Sequence, residues 1–275
     1  MSEYLDFALS IAREAGDVLM EYFHKEHTID YKGRIDIVTD VDHRSEEVLI
    51  SRITDAYPDH DIVTEESAGK RRGSRARWIL DPIDGTTNYA HGFPFFCVSV
   101  ALALEGEIRV AVINAPQLRE EFSGEKGNGA FLNGTKIAVS MTETLAKSFL
   151  ATGFPYDIAQ DSYNNINYFS GMAMQSLAIR RAGSAALDLA YVAAGRFDGF
   201  WELKLNPWDT AAGWLLVEEA GGVVTRISGD DYFLESPTIL ASNGRIHLAM
   251  IDALGAIDPF DSRFDTGQTP SRYNR

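Results

Sequence analysis

The chain has 275 residues, of which 45% are hydrophobic and 24% are charged, as in ordinary globular proteins. Asp and Glu total 40 against 25 Lys and Arg, and the formal net charge of −15 argues against a nucleic-acid or anionic-membrane surface, because phosphate groups favour basic patches. An anionic substrate is still compatible with this charge, because bound cations invert the local field.

Cysteine content and hydropathy indicate the compartment. Cys97 is the single cysteine, which excludes an intrachain disulfide, and its apolar neighbours predict a buried structural thiol rather than a nucleophile. The amino terminus lacks the basic start and apolar run of a signal peptide. The longest apolar run, 93–104, is shorter than the ~20 residues that span a bilayer. We therefore expect a cytoplasmic protein with neither membrane nor nucleic acid as a partner.

The amino-terminal part of the chain predicts two helices. Apolar residues recur at helical spacing over 4–23, which predicts an amphipathic helix. A second run with this periodicity ends near Tyr57 and follows Thr39, Asp40 and Asp42, whose residue types favour a helix start. We expect at least one of these three to cap the helix and another to face a functional site.

Two adjacent carboxylates, Glu65 and Glu66, stand at the end of a short predicted strand over 61–67. Because neighbouring side chains on a strand point to opposite faces, only one of the two need enter a site there. Taken alone, such a pair is more typical of a solvated strand edge.

The segment 78–89 is the most informative stretch of the chain. It reads Trp-Ile-Leu-Asp-Pro-Ile-Asp-Gly-Thr-Thr-Asn-Tyr, a buried strand end followed by Asp81 and Asp84 and a Gly-Thr-Thr turn. Carboxylate oxygens bind a hard cation such as Mg²⁺, and a turn with free N–H groups binds an anion. A cation site beside an anion site is what metal-assisted phosphoryl transfer requires. By itself, Asp-x-x-Asp-Gly is also typical of a simple loop.

The rest of the chain alternates between strands and helices. Strands over 95–104 and 108–113 form a predicted hairpin, and the remaining elements are a meander over 120–139, strands over 149–152, 177–181, 223–226 and 238–241, and helices over 161–175, 183–194, 207–219 and 244–254. This alternation predicts a mixed α/β (α+β) fold in layers. We expect one domain over 1–257, made of two continuous α/β halves, and a carboxyl-terminal tail over 258–275.

Two of the later predicted helices begin with residues that suit a ligand as well as a cap. Gly183, Ser184 and Ala185 open an alanine-rich helix, where a glycine followed by a serine is either an anion or hydroxyl site or a plain cap. Asp209 lies just after Pro207 in a first helical turn, where an isolated acidic residue satisfies the helix dipole. Neither pattern decides between the two roles.

Three separated segments together resemble the inositol monophosphatase family. They are Thr-Glu-Glu-Ser at 64–67, Asp-Pro-Ile-Asp-Gly-Thr-Thr-Asn at 81–88 and Pro-Trp-Asp at 207–209. Their order and spacing match, so the resemblance covers nearly the whole chain before the tail. It implies a layered αβαβα sandwich of the inositol monophosphatase and fructose bisphosphatase type, two or three Mg²⁺ ions per site, lithium sensitivity and a homodimer.

The resemblance also implies a role for each matching position. The metal ligands would be the carboxylates of Glu65, Asp81, Asp84 and Asp209 and the backbone carbonyl of Ile83. The residues with a catalytic role would be Glu65, Asp42 and Thr86, of which the last two would position and activate the attacking water.

The substrate contacts implied by the resemblance fall into two groups. Gly85, Thr86 and Thr87 would present N–H groups to the phosphate. Glu202 would bind substrate hydroxyls, and the opposite wall of the pocket would be Gly183, Ser184 and Ala185.

The expected reaction is hydrolysis of a small phosphorylated polyol or sugar, most of all inositol monophosphate, by metal-activated water without a phosphoenzyme. Clustered carboxylates without cations would repel a dianionic substrate, so the acidic set is chemically reasonable only when it binds metal. The same chemistry on a sugar bisphosphate, histidinol phosphate or 3′-phosphonucleotide is the alternative. A non-catalytic regulator that keeps the metal site is a further alternative from a different class.

Three basic residues near the predicted pocket bear on the substrate. We expect Lys204 to be solvated, since exposed charges make only weak contacts. Arg180 and Arg181 are either solvated or able to bind a second phosphate.

Overall fold

The computed structural model describes residues 2–25, 29–31 and 37–261, so residues 262–275 of the expected tail lie outside the described residues. The described helices are α1 (Glu3–Tyr22), α2 (Asp40–Ala56), α3 (Thr86–Ala90), α4 (Ile166–Ala173), α5 (Ala185–Ala193), α6 (Pro207–Glu219) and α7 (His247–Gly255). Over these same residues, none of the helices is both long and apolar enough to cross a bilayer.

The described strands form three sheets. In chain order they are β1 (Ile29–Tyr31), β2 (Ile37–Thr39), β3 (Asp61–Thr64), β4 (Ala76–Asp84), β5 (Cys97–Leu104), β6 (Glu107–Ala115), β7 (Glu120–Glu125), β8 (Gly129–Leu132), β9 (Thr135–Lys136), β10 (Phe149–Thr152), β11 (Ala178–Arg180), β12 (Gly199–Leu203), β13 (Val223–Thr225) and β14 (Thr238–Ser242). The large sheet runs β3 to β9 in chain order, and only its β3–β4 pair is parallel. The second sheet has the order β11-β10-β12-β14-β13, and β1 pairs with β2.

Helices cover both faces of the large sheet and both faces of the second sheet, which confirms the predicted αβαβα layers. On one outer side, α1 and α2 bury residues such as Ile11 and Leu49 against the large sheet, where Trp78 and Val100 lie. The middle layer is α5 and α6, whose close approach depends on Gly213, because a Cβ there would lie 2.5 Å from the Cβ of Leu189. The other outer layer is α4 and α7, packed on the far face of the second sheet.

Two predicted elements are shorter in the structure. The helix expected over 161–175 is only α4, because Asn165 at its start has φ 72° and its buried side-chain amide bonds Thr152 and Trp201 instead of continuing a helix. The strand expected over 61–67 ends at Thr64, so Glu65 and Glu66 lie in the bend after it.

Candidate active site

The end of β4 brings the first two acidic residues into the interior. Its pairing with β5 shifts register between Asp81 and Asp84, which turns the strand end away from the sheet. The Oδ1 of Asp81 accepts a hydrogen bond from the N–H of Ile83 at 3.0 Å, and Asp81 is only 1% exposed. The Oδ2 of Asp84 accepts bonds from Ser184 Oγ at 2.7 Å and from the N–H of Ala186 at 2.6 Å, so this carboxylate ties β4 to the start of α5.

The turn after β4 requires a glycine. Gly85 has φ 101°, and a Cβ there would lie 3.0 Å from the carbonyl oxygen of Phe95 and 3.2 Å from that of Gly183. Asn88 closes the same turn, because its side-chain N–H₂ group donates to the carbonyls of Phe95 and Ala182. The motif over 81–88 is thereby held against the loop that precedes α5.

The starts of α2 and α6 supply two further carboxylates. Asp42 accepts a bond from the N–H of Thr39 with one oxygen and from Thr86 Oγ1 with the other, the latter at 3.0 Å. It is therefore both a helix cap and a neighbour of the motif, two roles that sequence reasoning assigned to different residues. Asp209 accepts from the N–H of Asn206 at 2.6 Å in an equivalent capping box.

Glu65 is positioned by a buried residue that sequence reasoning missed. Glu46 on α2 accepts hydrogen bonds from Thr64 Oγ1 at 2.6 Å and from the N–H groups of Glu66 and Ser67 at 3.1 and 3.2 Å. These bonds fix the bend after β3, and Glu65 lies in that bend at the pocket. The sequence gives no signal of this role, because Glu46 stands beside Glu47 among other charged residues of α2 and its burial is visible only in the structure.

One pocket gathers most of the residues assigned by the resemblance. It is lined by Glu65, Asp81, Ile83, Asp84, Gly85, Thr86, Gly183, Ser184, Ala185, Glu202 and Asp209. Asp42 is buried behind Thr86, and Thr87 is exposed, so neither belongs to the lining.

Burial and mutual repulsion perturb the acids of this pocket. Burial, then the charges of Glu65 and Asp84, raise the pKa of Asp81 well above its ordinary value. Burial also raises the pKa of Asp84 to about 6, although its bonds from Ser184 and Ala186 favour the charged form. For Asp209, burial and then Asp84 and Glu65 again raise the pKa. The four carboxylates thus act on one another as a concentrated negative charge.

The chemistry of these donors fits Mg²⁺, a hard cation that prefers oxygen ligands and neutralises carboxylates. In the described parts of the chain, however, no group of three or more His, Cys, Asp or Glu side chains is already arranged to hold a metal ion. The pocket therefore gathers suitable donors without presenting a finished coordination geometry.

The opposite side of the pocket is built around Glu202 at the end of β12. Burial, and then Asp84, raise the pKa of Glu202 to about 8, while Arg181 opposes the shift. Its carboxylate lies directly over Gly153, where an added Cβ would overlap both carboxylate oxygens. Gly153 and Arg181 both line the pocket.

Lys204 differs from its predicted solvated state. Its side chain is only 18% exposed, and its Nζ pairs with Asp157 at 2.7 Å and with Asp161 at 2.9 Å. Desolvation alone would lower its pKa, but these two carboxylates together raise it. Lys204 therefore holds the loop over 157–161 at the rim of the pocket. It is not solvated as predicted, because at this half-buried position pairing with two carboxylates is more favourable than hydration.

Asp188 is a further pocket residue that sequence reasoning missed. It lies on α5, is 1% exposed and lines the pocket. A single acidic residue in the otherwise apolar stretch over 185–193 is the sequence signal that could have indicated it, because unpaired buried charges are rare.

Comparison with known proteins identifies the relationship. A model of the family described as "Inositol monophosphatase family" matches residues 1–257. A "Nus factor SuhB" of Pseudomonas aeruginosa is 42% identical, over 92% of this chain and 96% of that protein. An inositol monophosphatase of Dictyostelium discoideum is 41% identical, over 90% of this chain and 93% of that protein.

Solved structures show the same relationship. An inositol monophosphatase from Anabaena superposes with a TM-score of 0.86 and 42% identity, covering 93% of this chain and 96% of that one. The IMPase from Thermotoga maritima superposes with a TM-score of 0.85 and 37% identity, covering 92% of this chain and 97% of that one. The resemblance found in three short segments is confirmed over the whole matched range, and the chain belongs to the inositol monophosphatase family.

Proposed function

We propose that this protein is a magnesium-dependent phosphatase that hydrolyses small phosphate monoesters, inositol monophosphate first among them. The observation that carries the proposal is a pocket lined by the carboxylates of Glu65, Asp81, Asp84 and Asp209 together with that of Glu202. Relatives from Dictyostelium and Anabaena that share about two-fifths of their residues with this chain carry the name inositol monophosphatase.

The roles proposed for the metal end follow from the donors. Glu65, Asp81, Asp84 and Asp209 and the carbonyl of Ile83 would hold two or three Mg²⁺ ions. Bound magnesium neutralises phosphate charge and lowers the pKa of water toward neutrality. Gly85 and Thr86, which line the pocket, are proposed to contact the phosphate, whereas the contact expected from Thr87 would come from its backbone N–H, since its side chain is exposed outside the lining.

The Thr86 hydroxyl is proposed to position the attacking water. Its Oγ1 lies 3.0 Å from Asp42 Oδ1 and 3.0 Å from the carbonyl of Ile83. When the hydroxyl donates to either acceptor, its oxygen lone pairs remain available to a water in the pocket. When the hydroxyl donates to Asp42, Thr86 Oγ1 can take a proton from the attacking water while its own proton passes to the Asp42 carboxylate, so the pair removes one proton from the water and Asp42 holds it.

Glu202, with Gly183, Ser184 and Ala185 opposite, is proposed to bind the leaving alcohol. A carboxylate accepts hydrogen bonds from hydroxyl groups, so this wall favours a polyol over a plain alkyl or aryl group. The relatively high pKa of Glu202 does not prevent this contact, because a protonated carboxyl both donates and accepts.

A substrate panel tests the proposal. With Mg²⁺ present, we expect inositol monophosphate to be hydrolysed with a higher kcat/KM than fructose 1,6-bisphosphate, histidinol phosphate or a 3′-phosphonucleotide. Removing the metal with a chelator should abolish phosphate release, and added Mg²⁺ should restore it. Turnover that survives chelation would exclude the metal mechanism, and a better substrate among the other three would exclude the inositol assignment.

The contact between Gly153 and Glu202 gives a second prediction. Gly153→Ala should push the flexible Glu202 carboxylate away and raise KM for inositol monophosphate roughly tenfold, the effect of losing one hydrogen bond to a charged group. Gly255→Ala is the control, because no heavy atom lies within 4 Å of a Cβ there. Steady-state kinetics and the melting temperature of both variants test this prediction. An unchanged KM together with a lowered melting temperature would mean that the backbone at Gly153 moves and the Glu202 carboxylate does not.

Other properties belong to the same proposal. Lithium inhibition, a homodimer, a cytoplasmic location and one domain over 1–257 followed by a tail are what the family relationship suggests. Inhibition assays and light scattering would test the first two.

A non-catalytic regulator remains the second candidate. The Pseudomonas relative and several others are named Nus factor SuhB rather than by an enzymatic activity. A variant that lacks activity but keeps its fold separates the two candidates, and it is described in the Discussion.

A further inference from the structure

Asp188 has an oxygen that the protein leaves without a hydrogen bond. Within the described part of the chain, Oδ1 of Asp188 is one of three buried side-chain polar atoms that have no partner, with Asp157 Oδ1 and Arg226 Nε. Of these three residues, only Asp188 lines the pocket. Unsatisfied buried polar atoms cost folding stability, so an oxygen of this kind in a binding pocket suggests a partner that arrives with a ligand.

The position of Asp188 in the pocket indicates what that ligand group is. Asp188 lies one helical turn after Ser184, whose Oγ bonds Asp84, and thus deeper in the wall that Ser184 begins. Glu202 on β12 is close enough to add to the effect of burial in raising the pKa of Asp188. Two carboxyl groups from different elements therefore lie near each other in this part of the pocket.

The polarity of this side favours neutral hydroxyls over an ammonium group. Arg181 already supplies a positive charge that acts on both carboxyl groups. Burial disfavours the charged form of both, and a carboxyl group that is wholly or partly protonated gains little from a cation. A hydroxyl, in contrast, can donate to a carboxylate or accept from a protonated carboxyl group.

We propose that Asp188 binds a second hydroxyl of the substrate beside the one assigned to Glu202, so that the two residues together select monophosphates of polyols with at least two free hydroxyls. This inference rests on the proposed phosphatase function. It assigns Asp188 to substrate selection rather than to metal binding.

The test compares two substrates in one set of variants at saturating Mg²⁺. Inositol 1-phosphate carries several hydroxyls, and p-nitrophenyl phosphate carries none. Asp188→Ala should lower kcat/KM for inositol 1-phosphate roughly tenfold, mainly through KM, and should change that for p-nitrophenyl phosphate less than about twofold. Asp188→Asn keeps an acceptor and a donor of the same size, so it should lose less.

Asp198→Ala is the matched control. Asp198 is also buried, but its two oxygens accept bonds from Ser140 Oγ and from the N–H of Phe149, and it does not line the pocket. Its replacement should lower the melting temperature and leave the ratio of kcat/KM for the two substrates unchanged. Asp188→Ala should not lower the melting temperature, because it removes an unsatisfied group from a helix rich in alanine.

Each remaining outcome counts against the inference. Equal losses on both substrates, or a lowered melting temperature with unchanged selectivity, would make Asp188 a structural residue. A selective loss on histidinol phosphate rather than on inositol 1-phosphate would mean that an amine is bound. If the wild-type protein hydrolyses neither ester, both the proposed function and this inference are wrong. If the wild type is active but Asp188→Ala loses no selectivity, only this inference is wrong.

Discussion

Replacing Asp81 with asparagine is expected to lower kcat for phosphate release by on the order of a thousandfold, because Asp81 would hold a metal ion that would supply several kcal/mol of transition-state stabilisation. The amide has the same shape and can still accept the bond from the N–H of Ile83, so the turn should persist. It removes one negative charge from a group of carboxylates that act on one another, and with it most of the affinity for a divalent cation. Phosphate release measures kcat, a Mg²⁺ titration measures the affinity for the metal, and circular dichroism shows whether the fold persists.

Asp61→Asn is the matched control for that substitution. Asp61 is equally buried and accepts bonds from the N–H groups of Arg72 and Ser74, but it lies outside the pocket. These bonds and nearby charge lower the pKa of Asp61, so its charged form stabilises the fold and its replacement should lower the melting temperature while kcat is kept.

The same variant separates the enzyme from the regulator. If Asp81→Asn is inactive and folded and the cells that express it lose the protein's effect, catalysis is the function. An unchanged cellular effect from the inactive variant would support the regulator. Full activity of the folded variant would show that Asp81 is not a ligand of an essential metal.

Much of the fold was accessible from the sequence because local patterns and tertiary packing agree over most of the chain. Apolar periodicity placed α1 and α2 within a residue or two, and the alternation of strands and helices gave the layered class. The helix predicted over 161–175 was too long, because Asn165 forms buried hydrogen bonds to distant residues that the periodicity of the local sequence does not reveal. The bend after β3 was missed for a similar reason, since Glu46 fixes it from another element.

The acidic residues of the candidate site could be predicted from the sequence more fully than the residues around Glu202. The acids of the motif over 81–88 and Asp209 stand in patterns specific enough to be recognised, and the structure places them at one pocket. Gly153 carries no such pattern, because its importance comes from the Glu202 carboxylate next to it in space, and the signal of Asp188 is only a single acid in an apolar helix. Lys204 was misjudged because its partners, 43 and 47 residues away in sequence, are visible only in the folded chain.

The metal-free protein is expected to lose stability as pH rises, which is the reverse of what salt-bridged acids produce. Glu202 has a pKa of about 8 in the folded chain against an ordinary 4.5, and Asp84 has about 6 against 3.8. Between the ordinary and the folded pKa, the folded state holds a proton that the unfolded state has released, so the free energy of unfolding falls with pH. This contribution is fully present below the ordinary pKa and is lost as pH passes about 6 for Asp84 and about 8 for Glu202.

Between pH 6.5 and 8, the contribution of Glu202 is measured by comparing the wild type with a variant that lacks this carboxyl group, because Asp81, Asp188 and Asp209 also have raised pKa values. The lowered pKa values of His60 and His247 act in the opposite direction near pH 6.5, where the unfolded state still binds protons at these residues, and this effect fades as pH rises toward 8. In a chelator, the melting temperature of the wild type should therefore fall across this window, and Glu202→Gln should remove much of the fall. A wild-type melting temperature that is flat or rising there would contradict the burial of an ionisable group at this position.

Magnesium should then raise the melting temperature, and more so at pH 8 than at pH 5. A ligand at a hundred times its Kd stabilises the native state by about 2.7 kcal/mol, which for a chain of this length corresponds to about 5–10 °C. The pH dependence follows because carboxylates must be deprotonated to bind, and burial has raised the pKa of Asp81, Asp84 and Asp209. Calorimetric scans with Mg²⁺ and with chelator at both pH values measure the difference. Asp81→Asn should lose most of the increase, whereas Asp188→Ala should keep it, because Asp81 is proposed to bind the metal and Asp188 a substrate hydroxyl. If both variants lose the increase equally, metal binding and hydroxyl recognition are not separable in this site.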